Sequence, residues 1–312
     1  MSEPSPNWER DVLEKLALSA VQEQRRARYW SILFKTLGFL YLFIVLFLAA
    51  GWFRSDGVSI KAHTALVDLQ GVIAADQTSA DSVISSLQGA FEDTKTRGVI
   101  LRINSPGGSP VQAGQIYDEI RRLRAKYPKI PLYAVIDDIC ASGGYYVAAG
   151  ADKIFVDKAS IVGSIGVLMD GFGFTETMQK LGVERRLLTA GENKGFLDPF
   201  SPVDPEQQAF AKEMLEEIHG QFIGVVRQGR GKRLKETPEM FTGLVWSGET
   251  SIRLGLADGL GSVESVARDV IKAEDIVDFT RQDSLVERIA GRLGASMAKA
   301  WSPFDKAGVT LR

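Results

Sequence analysis

The hydrophobic pattern divides the chain into three parts. Residues 1 to about 31 are polar, carry charges of both signs, and place Val12, Leu13, Leu16 and Leu18 at helical spacing. Thr36 to Phe53 is then a run of 18 residues with no charge, extendable to Ile32 if the Lys35 stem snorkels toward the headgroups. About 20 apolar residues cross a bilayer as a helix, so this run predicts a transmembrane anchor over 32–53. Trp30 and Trp52 flank it where an aromatic belt would sit. A cleaved signal peptide, using Ala49-Ala50-Gly51 as its small-residue site, fits less well, because roughly 30 residues precede the apolar run. Arg25, Arg26 and Arg28 lie before the span, whereas Arg54 and Lys61 are the nearest positive charges after it. That asymmetry predicts a cytoplasmic N-terminus and an extracytoplasmic remainder.

From His63 the pattern changes to alternating strands and helices. Ala65 to Leu69 with Val72-Ile73 reads as a strand, Ser79 to Phe91 as a helix, Gly98 to Ile103 as a strand, and Val111 to Lys126 as a helix. Leu132 to Ile136 is the next strand, followed by an Ala-rich helical run ending at Gly150 and then the strand Lys153 to Val156. Further on, Glu184 to Leu188 reads as a strand and Pro205 to Arg227 as a long helix with a charged face. Alternation of this kind predicts an α/β domain with a largely parallel, covered sheet. Ser284 to Trp301 places Leu285, Val286, Ile289, Leu293, Met297 and Trp301 on one helical stripe, suited to a membrane surface or to a neighbouring subunit. The expected organisation is a cytoplasmic segment 1–31, an anchor 32–53, a linker 54–62, a catalytic-type domain 63–281 and an amphipathic helix and tail 282–312.

Composition narrows the chemistry. A net charge of −2 does not point to nucleic acid. The one cysteine, Cys140, allows no internal disulfide, and is most simply a small buried residue. The two histidines, His63 and His219, stand far apart and outside any zinc-binding spacing, so no metal or cofactor is expected. His63 begins the first strand and His219 falls inside the long helix; both are read as structural or solvent-facing. A Ser-His-Asp triad therefore lacks a well-placed histidine.

Asp137-Asp138-Ile139-Cys140-Ala141-Ser142-Gly143-Gly144 places a serine at a strand-to-helix turn, where glycines leave the backbone open and helix N–H groups face outward. A nucleophile and a simple serine N-cap both fit that stretch. Asn104-Ser105-Pro106-Gly107-Gly108-Ser109-Pro110 is a second glycine turn, at the end of a strand, where open α/β sheets bind ligands. Without histidine, a serine can be activated by a neutral lysine, and Lys194, in the Gly-flanked stretch Gly191 to Phe200, is the best candidate; an ordinary surface lysine would look the same. No role emerges for Asp137 or Asp138.

Four motifs together resemble the signal peptide peptidase A family of serine peptidases, family S49, in its short bacterial form. They are Ser105-Pro106-Gly107-Gly108, Ala141-Ser142-Gly143-Gly144-Tyr145-Tyr146, Val162-Gly163-Ser164-Ile165-Gly166-Val167, and Lys194 lying 52 residues after Ser142. Leu244 to Gly248 and Gly255 to Gly261 match the family's later pattern, and the resemblance covers roughly 60 to 270. It implies a Clp-protease/crotonase-like ββα superhelix, with Ser142 as nucleophile, Lys194 as general base and Ser164 orienting the lysine. It also implies an oxyanion hole from the backbone of Gly107, Gly108 and Gly143. Implied partners are signal peptides and other apolar peptides, the bacterial inner membrane, and further copies of the chain in a ring where serine and lysine meet between subunits. Two other readings of the fold are a catalytically silent quality-control scaffold and an acyl-CoA enzyme. The outward topology disfavours the second, because coenzyme A is cytoplasmic.

Overall fold

A computed structural model describes residues 8–49 and 61–281. Helix α1, Trp8–Ala49, is continuous over 42 residues, about 63 Å at 1.5 Å per residue. Within it the stretch Leu13–Phe47 is long and apolar enough to cross a membrane, and none of its most apolar window is buried by protein. Trp52, the linker up to residue 60 and the stripe from Ser284 to Trp301 lie outside the described residues.

The unit Ser59–Arg281 is built on one sheet. Its central strands are β1 (His63–Gln70), β2 (Thr96–Ser105) and β3 (Leu132–Ala141), with α2 (Ala80–Glu92) and α3 (Pro110–Lys126) as the crossovers between them. All three strands run parallel, Val67 opposite Leu101 and Leu101 opposite Ala134. Each is almost continuously buried, as expected when both sheet faces are covered. Side chains still alternate: Val67, Leu101 and Ala134 face α2 and α3, whereas Leu66, Ile100 and Val135 face a small layer formed by Val263, Val266 and Ala267. Ser79 and Ser109 cap α2 and α3 by accepting the N–H groups of Ser82 and Gln112, so Ser79 stands just outside α2 and α3 starts at Pro110, one residue before the expected Val111.

Beyond β3 the sheet divides. After the short helix α4 (Gly143–Ala148), strand β4 (Lys153–Val156) pairs with the first half of β3, and β5 (Ile161–Gly163) with its last three residues. Between them β3 changes partner, and the buried Ser160 fills the gap: its hydroxyl donates to the Asp137 carbonyl at 2.6 Å and accepts the Asp157 N–H at 3.0 Å. Strand β6 (Val245–Ser247) pairs antiparallel with β5, making the sheet mixed rather than wholly parallel. The short helix α5 (Thr175–Lys180) and the long α6 (Pro205–Arg230) lie between β5 and β6 in the chain.

Two sequence expectations change. Val72 and Ile73 do not extend β1: the chain turns at Gly71 (φ 81°), and Ile73 instead bridges Thr78 and Gly108. Glu184 to Leu188 forms no strand: among the described residues no other backbone pairs with it to complete a ladder, and every residue from Leu181 to Ala190 is exposed.

The end of α6 is fixed by a buried ion pair. Arg230, only 1% exposed, donates to Asp258 Oδ2 at 2.8 Å and to the Gly255 carbonyl. The same carboxylate accepts the Ile154 N–H at 2.7 Å, and its second oxygen accepts from Arg233. Burial alone would raise the Asp258 pKa, but the hydrogen bond and charge of Arg230, with Ile154 N–H and Arg233, leave it below the ordinary carboxylate value. A depressed carboxylate adds stability that is complete above its unfolded pKa and fades as pH falls through the folded one. Asp258→Ala should thus lower unfolding free energy by about 3–5 kcal/mol at neutral pH, because it strands a buried guanidinium. In denaturant titrations that deficit should shrink as the pH falls below about 4.

Candidate active site

The strand-to-helix turn at the end of β3 holds Ser142 in an unusual conformation. Its φ of 49° and ψ of −123° lie where residues other than glycine rarely go, and such strain costs about 1–3 kcal/mol unless the surroundings impose it. They do: β5 stops directly alongside, so the Ser142 N–H donates to the Gly163 carbonyl at 2.8 Å while the Ser142 carbonyl accepts from Tyr146 N–H at 3.0 Å. The hydroxyl makes no capping bond to α4, which answers the question left by the sequence. It is half-buried and without a hydrogen-bond partner among the described residues.

The Gly107-Gly108 turn packs against this serine closely enough to require glycine. A Cβ on Gly107 would stand 2.7 Å from Ser142 Cβ and 2.8 Å from Gly143 N; one on Gly108 would stand 2.2 Å from the Ile73 carbonyl oxygen. Ile73 fixes the turn by donating its N–H to the Gly107 carbonyl and accepting the Ser109 N–H, both at 2.8 Å. The Gly107 N–H is already engaged by the buried Ser105 Oγ at 3.1 Å, so this member of the expected oxyanion trio is not available as a donor. The N–H groups of Gly108 and Gly143 have no partner among the described residues. They lie close together, since a Cβ on Gly143 would be 3.3 Å from Gly108 N. Two unpaired amides beside an uncapped hydroxyl suit a developing oxyanion.

Ser164 repeats the strain, with φ 50°, and its N–H donates to the Leu244 carbonyl at 2.8 Å. Ser142 and Ser164 open into one cavity of about 580 Å³, whose walls include Pro106, Tyr146, Val167, Phe222 and Thr242. Tyr146 packs on Phe222 of α6 with ring centroids 5.1 Å apart. The walls are largely apolar, and among the described residues no group of acidic, cysteine or histidine side chains could hold a metal ion.

Lys194 is not brought to this cavity within the chain. It is exposed, in the turn after Gly191, on a segment from Met169 to Asp204 that bounds a separate cavity of about 1150 Å³ against the first turns of α6. That turn is nevertheless anchored: Leu197 N–H donates to Gln207 Oε1 at 2.9 Å, Arg185 pairs with Asp198 at 3.0 Å, and Phe196 meets Phe210 edge-on. Asp137 and Asp138 stay outside the cavity. Burial raises the Asp137 pKa against the opposing charge of Arg102, and Asp138 accepts from Asn104. Cys140 is fully buried, and burial pushes its thiol up out of the reactive range.

Sequence reasoning missed Ser105, Ile73, Phe222 and His219 as builders of this site. Ser105 carried a signal, standing at the head of the glycine turn. Phe222 and His219 carried none, since only tertiary packing brings the middle of α6 to the cavity. His219 is half-buried and its Nε2 lies 3.1 Å from the Ile165 carbonyl.

A family model described as peptidase family S49 matches residues 124–276, and one described as Clp protease matches 58–161. The chain is 31% identical over 219 residues to a putative protease of Methanocaldococcus jannaschii, covering 69% of this chain and 70% of that one. It is 30% identical over 205 residues to a putative signal peptide peptidase of Enterococcus faecium, covering 66% and 59%. A Na⁺/H⁺ antiporter of Brucella melitensis is 43% identical over 216 residues, 67% of this chain but only 29% of that protein's length. The divided mixed sheet is thus a Clp-protease-type α/β fold.

If the turn at residue 142 stores backbone strain, glycine should relieve it. Ser142→Gly should be more stable than Ser142→Ala by about 1 kcal/mol in denaturant unfolding, the reverse of the usual preference for alanine.

Proposed function

The chain belongs to peptidase family S49, and on that premise we propose that it is a membrane-anchored serine endopeptidase acting through a Ser-Lys dyad. Ser142 Oγ attacks the scissile carbonyl and gives its proton to the neutral amine of Lys194. The acyl-enzyme forms as the peptide amine leaves with that proton, and water activated by the same lysine releases the acyl group. Gly108 and Gly143 N–H groups stabilise the oxyanion, each donor contributing about 3 kcal/mol. Ser164 orients the lysine.

The observation that carries this reading is the strained, uncapped Ser142 beside two unpaired amides in an apolar cavity. Lys194 reaches that cavity from a second copy of the chain, in a ring. Support comes from the segment that bears it, where Phe172, Leu181 and Leu188 are exposed at 73–96%, an apolar surface suited to a neighbouring copy. Residues 32–53 anchor the protein with its N-terminus in the cytoplasm, and 63–281 form the peptidase domain outside. The apolar cavity walls and the anchor favour substrates already in or near a bilayer, such as released signal peptides and misfolded membrane-associated segments.

Ser142→Ala and Lys194→Ala should each abolish hydrolysis of an apolar reporter peptide without changing oligomer size. Co-assembled, the two variants should regain activity, because some sites then combine an intact serine with an intact lysine from the neighbour. Undiminished turnover by purified Lys194→Ala would refute the dyad, and an inactive mixture would place both groups in one chain.

A further inference from the structure

We infer that His219 is a positioning residue for the turn that carries Ser164, an inference that rests on the role given to Ser164 above. A left-handed conformation at a serine persists only where the surroundings over-determine it. Three hydrogen bonds tie two peptide groups around Ser164, the Gly163–Ser164 peptide twice and the Ile165–Gly166 peptide once. The Gly163 carbonyl accepts from Ser142 N–H at 2.8 Å, the Ser164 N–H donates to Leu244 at 2.8 Å, and the Ile165 carbonyl faces His219 Nε2 at 3.1 Å. The first two ties are made by backbone; the third is made by a side chain. An acceptor carbonyl decides the tautomer, so Nε2 bears the proton and donates.

The bond also joins two walls of the cavity. Ile218 and Phe222, on the same helix as His219, line one side, while Gly166 and Val167, directly after Ile165, line the other. The Ile165 side chain is fully buried, but apolar burial alone does not fix the orientation of a peptide plane. With the imidazole removed, the Ile165 carbonyl is free to turn and Ser164 relaxes toward the negative φ that serine prefers, carrying its hydroxyl away from the lysine amine.

The test uses the full-length protein in detergent with a chromogenic apolar peptide. His219→Ala should lower kcat about tenfold while KM stays within about twofold, the effect of one hydrogen bond acting on the reacting groups rather than on binding. Oligomer size and thermal midpoint should match the wild type. His219→Gln, whose amide nitrogen reaches a similar point, should recover most of kcat. The inference is overturned if His219→Ala keeps wild-type kcat, if Gln is as impaired as Ala, or if lost kcat merely follows lost folded protein. Ser164→Ala is assayed alongside: full activity there would refute the role given to Ser164, whereas an inactive Ser164→Ala with a fully active His219→Ala refutes only the positioning role of His219.

Discussion

The hydrogen bond from Ser142 N–H to the Gly163 carbonyl is the constraint on which the site depends. It forces a serine into backbone territory that suits glycine, lifting its hydroxyl off the start of α4 and out of capping geometry. The neighbouring ties follow from it. Gly163 can accept that bond only because β5 runs beside the last residues of β3, and β5 is held there by the antiparallel β6, whose approach in turn supplies the Leu244 carbonyl to Ser164. Two strained serines are thus stabilised by one strand junction, and the cost of their conformations is borne by sheet pairing around them.

The division of the sheet serves the same end. A strand that kept a single partner along its length would end flush with the sheet and leave no cleft. Here β3 gives its first half to β4 and its last residues to β5, with Ser160 satisfying the backbone groups exposed at the changeover. The cleft that opens is floored by the Gly107-Gly108 turn, itself pinned by Ile73, and walled by α6. Glycine is required at 107 and 108 because another backbone occupies the space where a side chain would begin.

Helix α6 is the second organiser. Its first turns hold the segment bearing Lys194 through Gln207 and Phe210, its middle meets the Ser142 cavity through Phe222 and the Ser164 turn through His219, and its end is locked by Arg230 to Asp258. One helix therefore touches the segment that bears Lys194, the wall of the Ser142 cavity and the Ser164 turn. Its buried Arg230 and Asp258 are costly to separate but expensive to desolvate, so their contribution is as much to a unique docking of the helix as to net stability.

Much of this was legible in the sequence, and the reason is local. Strand and helix periods, the charge-free run after residue 35, and the glycine turns at 107–108 and 143–144 are decided by residues close together in the chain, so the α/β architecture and the candidate nucleophile followed from pattern. The strand expected at Glu184 to Leu188 failed because a strand needs a partner, and no stretch of sequence reports whether one will be alongside. The same limit applies to the site. That Gly163 holds Ser142 out of capping geometry, that His219 meets the Ile165 carbonyl and that Lys194 stands apart from the cavity all depend on how residues remote in sequence pack. Only the packed chain decides them, because hydrogen bonds and close contacts act over a few ångströms of space, whatever the distance along the backbone.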